Sequence, residues 1–409
     1  MLKRTRGIAL LLCLLCAAGC SSAEGEVHTD VPGGESTRLA KYSDTLTALE
    51  AEMAQVAVKR AWSGAYFNAS RVDGAVVNGE DLFVWVFNGA NRHTEVHCIN
   101  AKDGVRRWMI DVGANRLEYA PMAGERFVVC LLANGKGMVV VNRLNGARPY
   151  RMRAGLGIIP TSSAASSDSS VYIASLVDEK LHACSPDTGF SGWSYASGAH
   201  ITSGPLVTPS LPRRLVVIAV DGGQVLALPP NGWTETRPSD PAWDRVLHGD
   251  VSGPLSVASG MSGGRLAVSV LAPCEDHGLY CLDAATGEPR WVHRTEAPFT
   301  GRAVALGGRV FARNSRRLFC LDLATGDPAW AASDEDGSLL PHESLGRAYV
   351  ADDMRAYLSS SGKNVVRCDG KTGAILATAP LNSFAWILST GDNNLLLGVT
   401  IDGHLVAYY

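Results

Sequence analysis

From residue 62 onward, apolar residues alternate with polar ones in short runs that break at glycine and resume on an aromatic side chain. The clearest case is Leu279–Trp291, LYCLDAATGEPRW. A strand ends at Asp283, the chain turns at Thr286-Gly287, and a second strand is entered at Trp291. Such period-two runs bounded by turn residues predict β-hairpins. The unit recurs. Leu318–Trp330 turns at Thr325-Gly326, with Asp322 in the aspartate position. Val96–Trp108 turns at Asp103-Gly104, and Val139–Tyr150 at Asn145-Gly146. Leu181–Trp193 turns at Thr188-Gly189, and Val365–Ala377 at Thr372-Gly373. Val225–Gly232 is a degenerate copy with Pro229 in the aspartate position. Turns about 40–50 residues apart, with several short strands per unit, predict the blades of a β-propeller.

A further unit is split between the ends of the chain. His404–Tyr409 reads as a strand with no turn after it, and Val58–Phe67 carries Trp62 with no turn before it. Pairing the two would close the wheel and remove an exposed sheet edge. The expectation is an all-β, eight-bladed propeller over residues 58–409, with seven blades if the Pro229 unit is not one. A different pattern precedes it. Leu39, Tyr42, Leu46, Leu49, Met53 and Val56 recur at three- and four-residue intervals and predict an amphipathic helix over 37–60. That helix either packs on the propeller or binds a partner.

The repeats resemble the PQQ-like β-propeller family, whose blades carry an A-x-D-x-x-T-G-x-x-x-W pattern. Residues 281–291 and 320–330 fit it, with Cys281 and Cys320 in the alanine position. The resemblance implies that Asp283, Thr286, Gly287, Asp322, Thr325 and Gly326 pin turns. It also implies that Trp108, Trp193, Trp291 and Trp330 dock onto neighbouring blades as structural residues. Residues 229–247 hold four prolines, Trp233 and Trp243. They read as a long loop whose tryptophans are candidate binding anchors, with packing back onto the blade as the alternative.

Composition narrows the function. Lys3, Arg4 and Arg6 precede an apolar run, Ile8–Cys16, too short for an ordinary membrane span. Ala17-Ala18-Gly19-Cys20 resembles a bacterial lipobox, which implies a leader over 1–19 and lipidation at Cys20. Ser21 after the cysteine favours the outer membrane, on its periplasmic face. Residues 20–36 are small and polar and read as a flexible tether. The formal charge is −3 and falls to about −6 once the three leader cations are gone, which argues against nucleic acid as a partner.

Candidate chemistry is sparse. There is no P-loop, H-E-x-x-H or G-x-S-x-G sequence. Cys274, Glu275, Asp276 and His277 crowd one turn without a second ligand pair, and Asp250 with His248 lacks a nucleophile. Cys274 and Cys281 flank that turn and are the one pair placed to bridge. Within the PQQ-like family, quinoprotein dehydrogenases hold their cofactor with Ca²⁺ and an adjacent Cys-Cys disulfide, and this chain has no such pair. No cofactor and no metal site is therefore expected. The set of features resembles BamB-like lipoproteins, which implies a non-enzymatic scaffold with envelope protein partners, an outer-membrane barrel-assembly subunit being a candidate among them. The alternatives are a PQQ-dependent oxidoreductase and a carbohydrate- or peptide-binding envelope propeller.

Overall fold

The computed structural model describes residues 26–29, 46–55 and 59–408 apart from loop positions, the longest runs of which are 152–157 and 334–347. Its strands form eight sheets. Seven are blades of four consecutive antiparallel strands, beginning with Ser70–Asn78, Asp81–Asn88, His93–Asn100 and Arg106–Gly113. The last contiguous blade ends with Ile375–Pro380. The remaining sheet draws on both ends of the chain. Trp386–Ser389, Leu396–Val399 and His404–Tyr408 are joined by Arg60–Ala65 and then by Glu26–Thr29. The expectation of eight equal leaves is thus corrected: seven contiguous blades have four strands, and the closing sheet is a five-stranded composite. Its first strand packs between those of the seventh and first blades.

The seal runs through Trp62, paired opposite Ala407 in antiparallel register with the C-terminal strand. Its indole donates to the carbonyl of Ala101 in the first blade at 2.9 Å. The fifth strand lies inside the stretch expected to be a flexible tether. It pairs in parallel with Arg60–Ala65, which sets a limit to that expectation. Residues 1–25, with the expected leader and Cys20, lie outside the described residues.

The described helix spans 46–54, shorter than expected at its C-terminal end because the chain must already be extended at Arg60 to join the sheet. Residues 37–45 lie outside the described residues. Leu46, Leu49 and Met53 are buried, as the three- and four-residue spacing requires of one helix face. Glu50 pairs with Arg60, and Glu52 accepts from the Ser383 hydroxyl at 2.7 Å, so this helix is moored to the closing sheet.

Between blades the core is a series of two-sided apolar layers. The second strands are buried along their length, as in Phe127–Leu132 and Val216–Val220. A sheet covered on both faces needs such unbroken apolar runs. Cys98, Cys130, Cys184, Cys281 and Cys320 fill buried positions and form no disulfide. Burial pushes Cys98 and Cys184 up to about 12, which leaves them protonated and unreactive. Cys274 is also free, so the bridge to Cys281 is not formed.

In the closing sheet, Asp402 accepts from the Thr400 hydroxyl at 2.5 Å and lies 3.1 Å from His404 Nδ1. The His404 contact is the largest influence on this carboxyl. With Thr400 it outweighs burial and holds the group well below the ordinary carboxylate range. A depressed folded-state pKa contributes stability above the unfolded value near 4, and that contribution is lost as pH falls further. The melting temperature should therefore drop between about pH 5 and pH 2, and Asp402→Asn should flatten part of that slope. Thermal unfolding followed across that range checks this; identical slopes would refute it.

Candidate interaction surface

The repeated turns are tied down locally and then clamped by the preceding blade. Asp283 Oδ1 accepts from the amides of Ala285 and Thr286 at 2.9 and 3.1 Å, and Asp322 does the same for Ala324 and Thr325. Burial alone would raise the Asp283 carboxyl. Arg290 and the two amides outweigh it and hold the group below its ordinary value. Thr286 Oγ1 accepts from Glu288 N, and Thr325 Oγ1 from Asp327 N. Gly326 has φ +77°, and an added Cβ would lie 2.6 Å from the Trp291 ring. Only glycine satisfies both the left-handed backbone and that contact. The Trp291 indole donates to Leu323 O at 2.9 Å, and Trp108 to Arg143 O at 2.8 Å. Trp330 stacks over Gly373 in the same way, and Trp193 is buried beside Tyr172.

Trp243 is not a surface anchor. It is buried, sits opposite Ala227 in the fourth blade, donates to Ala284 O at 3.0 Å and covers Gly287. It is the clamp of that blade, carried away from its turn by the insertion at 229–242. The small Ala227 stands opposite it as Cys281 stands opposite Trp291 and Cys320 opposite Trp330. Trp233 lies outside the described residues.

Of the residues that the sequence offered for chemistry, Asp276 and His248 meet in one hydrogen-bonded network. Tyr280 donates to Asp276 at 2.5 Å, Arg294 donates to Asp276 at 2.9 Å, and His248 Nδ1 lies 2.9 Å from the Tyr280 hydroxyl. Burial, then Asp276, pushes Tyr280 up to about 12. Asp250 accepts from the amides of Gly222 and Gly223 at 2.7 and 2.8 Å. These groups stitch the fourth and fifth blades together. No cluster of His, Cys, Asp and Glu suited to a metal ion occurs among the described residues.

Two cavities lie where the inner strands converge. One, of about 420 Å³, is lined by Tyr119, Thr161, Thr202, Ser252, Arg302 and neighbouring apolar residues, with no carboxylate. The other, of about 400 Å³, includes Glu125, which is held by Arg214 at 3.1 Å. Calcium-assisted quinone chemistry requires several oxygen ligands around the ion, carboxylates prominent among them. This lining does not fit it.

A different feature stands out on the exterior. Val171–Ser175 and Lys180–Cys184 of the third blade are joined by a tight turn whose tip is Leu176-Val177, 51% and 60% exposed. The polar half of that turn is fixed. Asp178 faces His182 at 3.1 Å, and Ser197 Oγ donates to Glu179 O at 2.8 Å. The result is a rigid apolar knuckle held out in water. No pattern in the sequence marked it, because two apolar residues at a hairpin tip look like a continuation of the strand.

The profile of the family described as outer membrane protein assembly factor BamB matches residues 22–260 and 232–394. Among solved structures, the crystal structure of BamB from Moraxella catarrhalis superposes with a TM-score of 0.61 at 17% identity, covering 86% of this chain and 99% of that one. The quinohemoprotein alcohol dehydrogenase from Comamonas testosteroni superposes at 0.56 and 12% identity, covering 87% and 77%. At these identities both likenesses concern the fold. No sequence among the curated proteins matches the chain. Among the described residues no helix is long and apolar enough to cross a membrane.

Proposed function

The chain belongs to the family described as outer membrane protein assembly factor BamB, and from that membership we propose that it is a non-enzymatic scaffold in outer-membrane β-barrel assembly. It would be anchored through Cys20 to the periplasmic face of the outer membrane. The observation that carries a binding role is the Leu176-Val177 knuckle. Two adjacent apolar side chains, exposed on a turn held by the Asp178–His182 and Ser197–Glu179 contacts, lose little entropy on docking.

The test is capture of the full-length chain from detergent-solubilised envelopes, followed by mass spectrometry. A membrane barrel-assembly subunit should co-purify, and a Leu176→Asp, Val177→Asp double variant should lower its recovery at least tenfold, on the order of 1.4 kcal/mol or more. Its melting temperature should be unchanged. Recovery of no envelope protein would overturn the scaffold reading. Reduction of a dye with alcohols after adding quinone and Ca²⁺ would replace it with an oxidoreductase. Equal recovery by the double variant would remove the knuckle from the interface.

A further inference from the structure

The closing sheet carries one strand more than any blade. Glu26–Thr29 lies along the outer edge of Arg60–Ala65 in parallel register, Val27 beside Ser63 and His28 beside Gly64. Every other pairing in that sheet is antiparallel. A parallel pair is less stable per residue, and four residues is shorter than the usual strand of five or six. As the outermost strand and the one parallel member of this sheet, it is the one most easily exchanged.

The edge it covers is unguarded. Outer strands elsewhere carry groups that discourage pairing: Pro289, Arg290 and Arg294 in the fifth blade, Pro328 in the sixth, Arg106 and Arg107 in the first. Proline and charge are the usual protections of a sheet edge. Arg60–Ala65 reads RAWSGA, with neither beyond its first residue. Ser191–Ala196 of the third blade shares that lack but carries no fifth strand, so an open edge alone does not recruit one.

We infer that the outer edge of the closing sheet is a strand-acceptor site. In the resting chain its own residues Glu26–Thr29 occupy it, and on their departure it receives an extended segment of an unfolded, strand-forming polypeptide. Ala61, Ser63 and Gly64 are small and make few demands on the incoming sequence. Backbone hydrogen bonds supply the recognition, as in other strand-addition sites. An acceptor indifferent to sequence suits a scaffold that handles many barrel precursors, so the identity of this occupant rests on the proposed function.

The experiment compares the full chain with Val27→Pro, which removes a backbone donor from the resident strand. The probe is a fluorescein-labelled octapeptide with the sequence of residues 24–31. Binding by Val27→Pro should be at least tenfold tighter than by the native chain. An alternating Thr-Val octapeptide should displace the probe, and the same peptide N-methylated at every second residue should not. Val27 belongs to the added strand outside the seven blades, so the variant should melt at the native temperature. Equal affinity in the two proteins, equal displacement by the N-methylated peptide, or dimerisation of Val27→Pro would each overturn the acceptor site. Failure here with an envelope barrel subunit still captured would leave the scaffold standing, whereas peptide exchange without that capture would remove the scaffold and leave the acceptor.

Discussion

Ending the chain at Gly403 is expected to abolish cooperative unfolding rather than lower its midpoint. The deletion takes away His404–Tyr408, the strand between Leu396–Val399 and Arg60–Ala65 in the closing sheet. Leu405, Val406, Ala407 and Tyr408 are all essentially buried. Burial of Val, Leu or Ile side chains stabilises by about 1.5–3 kcal/mol each, so losing this strand removes much of a typical domain's 5–15 kcal/mol. Trp62 would also lose its sheet partner Ala407, and with it the register that brings its indole to Ala101. Calorimetry should show a broad, low-enthalpy transition. A sharp native-like endotherm would mean that the wheel does not depend on its seal.

Asp81→Ala should destabilise the protein by about 3–5 kcal/mol, far more than an ordinary surface substitution. Asp81 is 1% exposed at the junction of the first and second blades. It accepts from Arg107 at 2.5 Å and from Arg143 Nε at 2.7 Å. Arg143 also donates to Gly124 O and Asn78 O, so a single guanidinium ties its own turn to two others. Removing the carboxylate leaves two half-buried cations facing each other with nothing between them. Asp81→Asn should recover part of the loss by keeping one acceptor. Urea titration read by tryptophan fluorescence measures both, and a change under about 1 kcal/mol for alanine would show the triad to be ornamental.

The repeated units were legible because their signals are local. Asp283, Thr286, Gly287 and Trp291 follow one another within a single hairpin, so each turn carries its own explanation. The seal was legible for a related reason, since a tryptophan strand with no turn and a turnless terminal strand complement each other. The Asp81–Arg107–Arg143 triad was not, because its members meet only after two blades have packed. Trp243 escapes a sequence reading because the inserted segment separates it from its turn, while the strand register that returns it to Ala227 is set in three dimensions. Glu26–Thr29 has no apolar periodicity at all; its strand is defined by the edge it borrows. The Leu176-Val177 knuckle depends on which residues stay wet, and alternation alone does not distinguish a wet tip from a covered one.

The sealing pair also decides what has to happen last in folding. Arg60–Ala65 and His404–Tyr408 pair across a loop that takes in all seven contiguous blades. Closing so long a loop costs chain entropy before any contact rewards it, which makes this pairing a slow step. Until the two strands meet, the chain is an unfinished arc with an unpaired flank. A segment that bound either strand during that interval would hold the arc open.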